Sequence, residues 1–288
     1  MLKYRLTLGP VLIALLIGLA WFDQYLGDAS DQQHAGVTIG IALALIIAAA
    51  SIELAKMFRA AGSTTPTALH PVFALIGLLA CWRPGQSGMP SVGAATAACV
   101  IVALLVLGRA AISKSNQGVI INLACALLTM AYLGFLSGML MQLRLTYSAW
   151  ALLGVLLLIK SCDIGAFAVG VSIGKHKLIP WVSPGKTWEG LIGGLVTSTG
   201  LGVLAASVTG GASFDPGVQL TLAQGAILGL ICGFTGQMGD LAISMFKRDA
   251  GIKDSSAAVP GFGGVLDLLD SPLFAGAIAY WTLLLLTA

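Results

Sequence analysis

Three uncharged runs constrain this chain more than any other feature: Gly36–Ile52, Val92–Gly108 and Leu273–Ala288. Each approaches the roughly 20 apolar residues that span about 30 Å of hydrocarbon. Inside hydrocarbon every backbone N–H and C=O must find its partner within the protein, so such runs are read as membrane helices. The rest of the composition agrees, with 57% apolar and 9% charged residues over 288 positions and a mean hydropathy of +0.94. The 37 glycines suit helices that approach closely in a bilayer. A formal net charge of +3 is too small to argue for a nucleic-acid partner. These features exclude a soluble globular domain and imply an all-α, polytopic integral membrane protein whose partner is the lipid bilayer.

The pattern predicts about nine spans, at roughly 6–22, 35–55, 69–82, 91–108, 118–141, 147–170, 188–209, 222–245 and 272–288. The third is short and flanked by proline, which fits a tilted, re-entrant or internally packed segment. Lys3 and Arg5 precede an apolar run that ends in Trp21-Phe22-Asp23-Gln24, not in a small-residue cleavage site, so it is read as a retained first span. The five cysteines lie in or beside apolar runs without a CxxC pair, which favours packing over disulfides or zinc. With the N-terminus inside, 12 Lys and Arg residues face the cytoplasm; Arg83 and Arg144 face out, and Lys160 lies within a span. That asymmetry predicts a cytoplasmic N-terminus. The chain reads as one membrane domain, 1–288, with N-terminal helices over 1–145 and the chemistry-bearing helices over 146–288.

Eight of the 27 charged side chains fall within Gly239–Ser271. Asp240, Ser244 and Lys247 recur at i, i+4 and i+7 of a predicted helix with Arg248 alongside, which is either an interfacial ion pair or part of a site. Lys253-Asp254 follows, then Pro260-Gly261-Phe262-Gly263-Gly264, then Asp267 and Asp270 at i and i+3. Like charges so placed repel unless a cation lies between them. Carboxylates beside glycines with exposed N–H groups suit a magnesium–polyphosphate ligand. A second polar stretch, Ile173–Gly190, holds Lys175, Lys177 and Lys186 in a turn leading to a helix with Glu189 in its first turn. Its Ser183-Pro184-Gly185-Lys186-Thr187 lacks the first glycine of a P-loop, since Pro180 stands there, and no strand is predicted before it. His176 reads as a surface histidine. Lys160 and Asp163, at i and i+3, either neutralise one another or complete the site of the two polar loops.

These residues resemble the phosphatidate cytidylyltransferase, or CDP-diacylglycerol synthase, family. Its signature runs approximately S-x-x-K-R-x4-K-D, a spacer, P-G-H-G-G, then D-R-x-D. Ser244, Lys247, Arg248, Lys253, Asp254, Pro260, Gly261, Gly263, Gly264, Asp267 and Asp270 occupy matching positions. Upstream, Asp163, Gly174-Lys175, Ser183-Pro184, Lys186-Thr187-Trp188-Glu189-Gly190 and Gly239-Asp240 also match. Phe262 stands where the family usually has His, Leu268 and Val171 where it has Arg, and Gly185 where it has Lys.

The resemblance implies cytidylyl transfer from CTP to phosphatidate at a cell-membrane site facing the cytoplasm. It implies Mg2+, with a second cation admissible, and a homodimer as an admissible assembly. Asp240 and Asp267 would be the main ligands, with Asp254, Asp270 and Asp163 in or behind that shell. Asp240, Asp267, Lys247 and Arg248 would act on the reacting phosphates. Ser183, Lys186, Thr187, Glu189, Ser244, Lys253, Gly263 and Gly264 would contact substrate. Two other readings stay open on the residues alone. One is a secondary transporter of an anionic solute centred on Lys160–Asp163, against which stand the lack of an internal repeat and the gathering of charge at one face. The other is a CTP-using enzyme acting on an isoprenoid lipid.

Overall fold

A computed structural model describes residues 2–82, 91–208, 218–261 and 263–287. Eight of the described helices are long and apolar enough to cross a membrane, so the chain is an all-α, multi-pass membrane protein. The long helices are α1 (Leu2–Ala29), α2 (Val37–Ala60), α4 (Val92–Ile112), α7 (Ala149–Ile173), α8 (Trp188–Val208), α9 (Leu222–Asp249) and α10 (Leu266–Thr287), together with the continuous segment described next. That segment, Val119–Thr146, comprises α5 (Val119–Thr129), a π-helical stretch (Met130–Phe135) and α6 (Leu136–Thr146). Large apolar side chains such as Leu104, Leu105 and Leu107 on α4 point outward, as hydrocarbon rather than water demands.

The third predicted span is α3 (His70–Cys81), preceded by a 3-10 turn at Thr67–Leu69. Its 12 α-helical residues reach only about 18 Å at 1.5 Å per residue. Phe73, Ala74 and Leu78 are fully buried, so this segment is internally packed and is too short to count among the eight long helices. The small hairpin β1 (Lys177–Ile179) and β2 (Ser183–Thr187), antiparallel with Lys177 opposite Thr187, occupies the stretch read from sequence as a turn.

Two compact units emerge, Met1–Leu145 with Phe246–Leu268, and Thr146–Met245 with Leu269–Ala288. In the first, α3 lies against the π-helical stretch so closely that a methyl at Gly77 would come within 2.6 Å of the Met130 carbonyl. A core of Phe73, Ala98, Val102, Val106, Ala126 and Met130 surrounds that contact. Asp23 of α1 accepts from the amides of Gly36, Thr38 and Ile39 and so caps α2. Arg144 donates to the same carboxylate at 2.6 Å, both side chains being buried. In the second unit α7 and α8 pack backbone to backbone: a methyl at Gly194 would meet the Cys162 carbonyl at 2.6 Å, and one at Gly190 that of Ala166 at 2.8 Å. Small residues at such contacts replace the hydrophobic driving force that lipid removes. α10 packs on α9 where Gly239 meets the Asp270 carbonyl.

Candidate functional site

In the second unit a chain of polar contacts links α7, β2, α9 and α10. Asp163 pairs with Lys160 at 3.0 Å and accepts from the Gln237 amide at 2.8 Å. Lys186 donates to Gln237 Oε1 at 2.8 Å and pairs with Asp240 Oδ2 at 2.6 Å. Ser244 lies 3.5 Å from Asp240 Oδ1. Asp270 comes within hydrogen-bonding reach of Asp240 and accepts from the Ser271 amide and hydroxyl at 2.6 and 3.1 Å. It is buried.

Local structure explains this placement. Asp163 and Lys160 sit one turn apart on α7, as do Gln237 and Asp240 on α9. Lys186 reaches them because the hairpin folds back before α8 begins. Thr187 is not turned toward a ligand here; its hydroxyl accepts from Gly190 N at 3.1 Å and caps α8. Glu189, in the first turn of α8, is held by the His176 amide at 3.2 Å and by its Nδ1 at 2.6 Å, which staples the hairpin to the helix. Ser183 opens β2 opposite Ile179.

In the first unit Asp267, at the start of α10, is surrounded by donors. Lys247 pairs with its Oδ1 at 2.8 Å. Its Oδ2 accepts from Gly264 N at 2.9 Å, Ser255 N at 3.1 Å and the Ser255 hydroxyl at 2.9 Å. Val259 and Gly263 exchange backbone hydrogen bonds, closing a tight loop in which Gly261 and Gly263 have φ of 85° and 99°, a region that favours glycine. Arg248 donates to the Ile252 carbonyl at 3.0 Å, while Lys253 and Asp254 are exposed. Phe262 lies outside the described residues. Leu268 is half-buried on α10.

The expected ligands therefore divide. Asp240 and Asp270 meet, Asp163 joins them through Gln237 and Lys186, Asp267 is held by lysine and amides in the other unit, and Asp254 faces solvent. Among the described residues no three Asp, Glu, His or Cys side chains converge on one point. The Asp240–Asp270 pair still suits Mg2+: two carboxylates in hydrogen-bonding contact need a shared proton or a cation, and Mg2+ is commonly held by one or two carboxylates with water and phosphate oxygens.

Two side chains were missed in the sequence. Gln237 bridges Asp163 and Lys186, and its only signal was an amide within an apolar helix. Glu53, buried near the end of α2, binds Ser255, Ser256, Val265 and Leu266. Its signal was a lone carboxylate immediately after an uncharged run.

Comparison with known proteins identifies relatives of this chain. A segment of 133 residues, 46% of this chain and 42% of the relative, is 40% identical to the uncharacterized protein YnbB of Escherichia coli (strain K12). Another of 132 residues, 46% of this chain and 39% of the relative, is 40% identical to a phosphatidate cytidylyltransferase of Mycobacterium leprae (strain TN). These alignments thus span about two-fifths of the relatives' lengths. A longer match, 35% identical over 202 residues, covers 69% of this chain and 73% of a phosphatidate cytidylyltransferase from Staphylococcus aureus (strain COL). The sequence pattern of the cytidylyltransferase family matches residues 6–286. The chain belongs to the cytidylyltransferase family.

Proposed function

We propose that this chain transfers the cytidylyl group of CTP to phosphatidate, giving CDP-diacylglycerol and pyrophosphate. The observation that carries the reading is the Lys186–Asp240–Asp270 cluster, within a chain whose relatives bear the name phosphatidate cytidylyltransferase. A phosphate oxygen of the lipid forms a bond to the α-phosphorus of CTP while the bond to the departing pyrophosphate breaks. The nucleophile is ionised at neutral pH, so the step needs no strong general base. It needs neutralisation of charge on the α-phosphate and on the leaving group.

Asp240 and Asp270 would hold Mg2+, with Asp163 behind them, and a second cation is admissible. When bound, the ion polarises phosphoryl oxygens and stabilises the departing pyrophosphate. Lys186, freed from Asp240 as substrate arrives, binds a phosphate oxygen, and Gln237 keeps its ammonium in place. The family resemblance is what supports reading Lys247, Arg248 and Lys253 as cations for phosphate and Ser244, Gly263 and Gly264 as polar contacts. Ser183, Thr187 and Glu189 shape the hairpin that presents Lys186. Asp267 orders the loop before α10 and, through Lys247, fixes a cation that phosphate can recruit. The site faces the cytoplasm in the cell membrane, where CTP is available and the lipid arrives from the bilayer.

Purified protein with radiolabelled CTP, Mg2+ and a panel of acceptors (phosphatidate, an isoprenoid phosphate, a free polyprenol) tests the reading. The expected result is labelled CDP-diacylglycerol from phosphatidate. Labelling only of an isoprenoid acceptor, or of none, overturns it.

A further inference from the structure

We infer that Glu53 of α2 is the positioning residue for the loop between α9 and α10 that carries Gly264 and Asp267. Its carboxylate is buried and meets donors only. Oε1 accepts from the Ser256 hydroxyl at 2.6 Å and the Val265 amide at 3.0 Å. Oε2 accepts from the Ser255 hydroxyl at 2.8 Å and the Leu266 amide at 2.9 Å.

Val265 and Leu266 lie at the start of α10, where amides have no intrahelical acceptor, so α2 caps α10 across about 200 residues of sequence. Ser255 carries the linkage on: its Oγ is also 2.9 Å from Asp267 Oδ2, and its single proton serves one carboxylate at a time. Gly264 closes the arrangement, because a methyl there would overlap Ser255 Oγ and the Glu53 carboxylate. Four donors point at one head group, so every contact calls on its oxygens to accept. A glutamine of the same shape keeps one acceptor oxygen and turns an NH2 group toward two donors.

The activity arm of the test rests on the reaction proposed above; the exchange arm does not. The full chain in lipid nanodiscs, as wild type, Glu53→Gln, Ser255→Ala and the double variant, is followed by hydrogen exchange and by steady-state kinetics with CTP, phosphatidate and Mg2+. In Glu53→Gln, exchange over residues 255–267 should quicken by about 10-fold or more while peptides from α3 to α6 keep their rates. Its kcat should fall on the order of 10²-fold, with KM for phosphatidate within about 3-fold, because the loop is misplaced while lipid binding is spared. Ser255→Ala should move both readouts less, and the double variant should lose little beyond Glu53→Gln, since both substitutions act on one loop. Unchanged loop exchange, exchange raised equally through α3 to α6, or a Glu53→Gln kcat within about 2-fold of wild type overturns the proposal. If wild type yields no product with any lipid phosphate, the proposed reaction fails, and the exchange result alone decides the role of Glu53.

Discussion

At the scale of single residues, the second-unit cluster turns on one carboxylate with two neighbours of opposite demand. Asp240 meets the Lys186 ammonium on one side and the Asp270 carboxyl on the other. Replacing it with asparagine keeps the shape and removes the charge, so Mg2+ loses a ligand and Lys186 its resting partner. Asp240→Asn should lower cytidylyl transfer by on the order of 10³-fold, with unchanged elution and thermal unfolding. Excess chelator should silence the wild type in the same assay, and turnover in its presence would refute the metal role. Asp240 was legible in sequence because a carboxylate near the end of an apolar helix demands a reason. Gln237 was not, since an uncharged amide carries no such demand until its two neighbours are in place.

Helix elements set the tolerance of these contacts. Gly239 precedes Asp240, and a methyl there would strike the Asp270 carbonyl and come within 2.9 Å of Phe274 Cβ. Gly239→Ala should push α10 from α9 and separate the two carboxylates. The expected signature is a rise in the Mg2+ concentration for half-maximal activity, together with lower kcat. Unaltered Mg2+ dependence would show that α10 yields elsewhere. The Asp23–Arg144 pair, buried with N–O 2.6 Å, makes a different prediction. Arg144→Met leaves a buried carboxylate short of its counter-ion and should cost about 3–5 kcal/mol. Asp23→Leu combined with Arg144→Met should cost less than Arg144→Met alone, as read from unfolding in mild detergent. Sequence placed Arg144 on the outer side together with Arg83; the structure gives Arg144 a partner 121 positions away.

For the molecule as a whole, the testable property is orientation. The basic residues divide strongly between the two ends of the predicted spans, and the positive-inside tendency predicts that residues 173–187 and 247–270 face the cytoplasm. Single cysteines introduced into exposed positions of these stretches should react with an impermeant maleimide only after the membrane is opened. Labelling in intact cells would reverse the topology and the access of CTP with it.

The sequence alone determined the class of fold, because uncharged runs of this length leave the backbone no option but helices in hydrocarbon. It also determined where charge is concentrated, since the signature positions are contiguous in the chain. Tertiary structure decided the pairings. Lys186 with Asp240, Asp240 with Asp270, and Glu53 with Ser255 and Leu266 join segments whose separations no periodicity encodes. It also decided that Thr67–Cys81 packs internally, because the glycine contact of Gly77 with the Met130 carbonyl is a property of two facing backbones. Hydropathy reports the solvent a segment prefers; the partner it touches depends on shape, and shape exists only once the helices are packed.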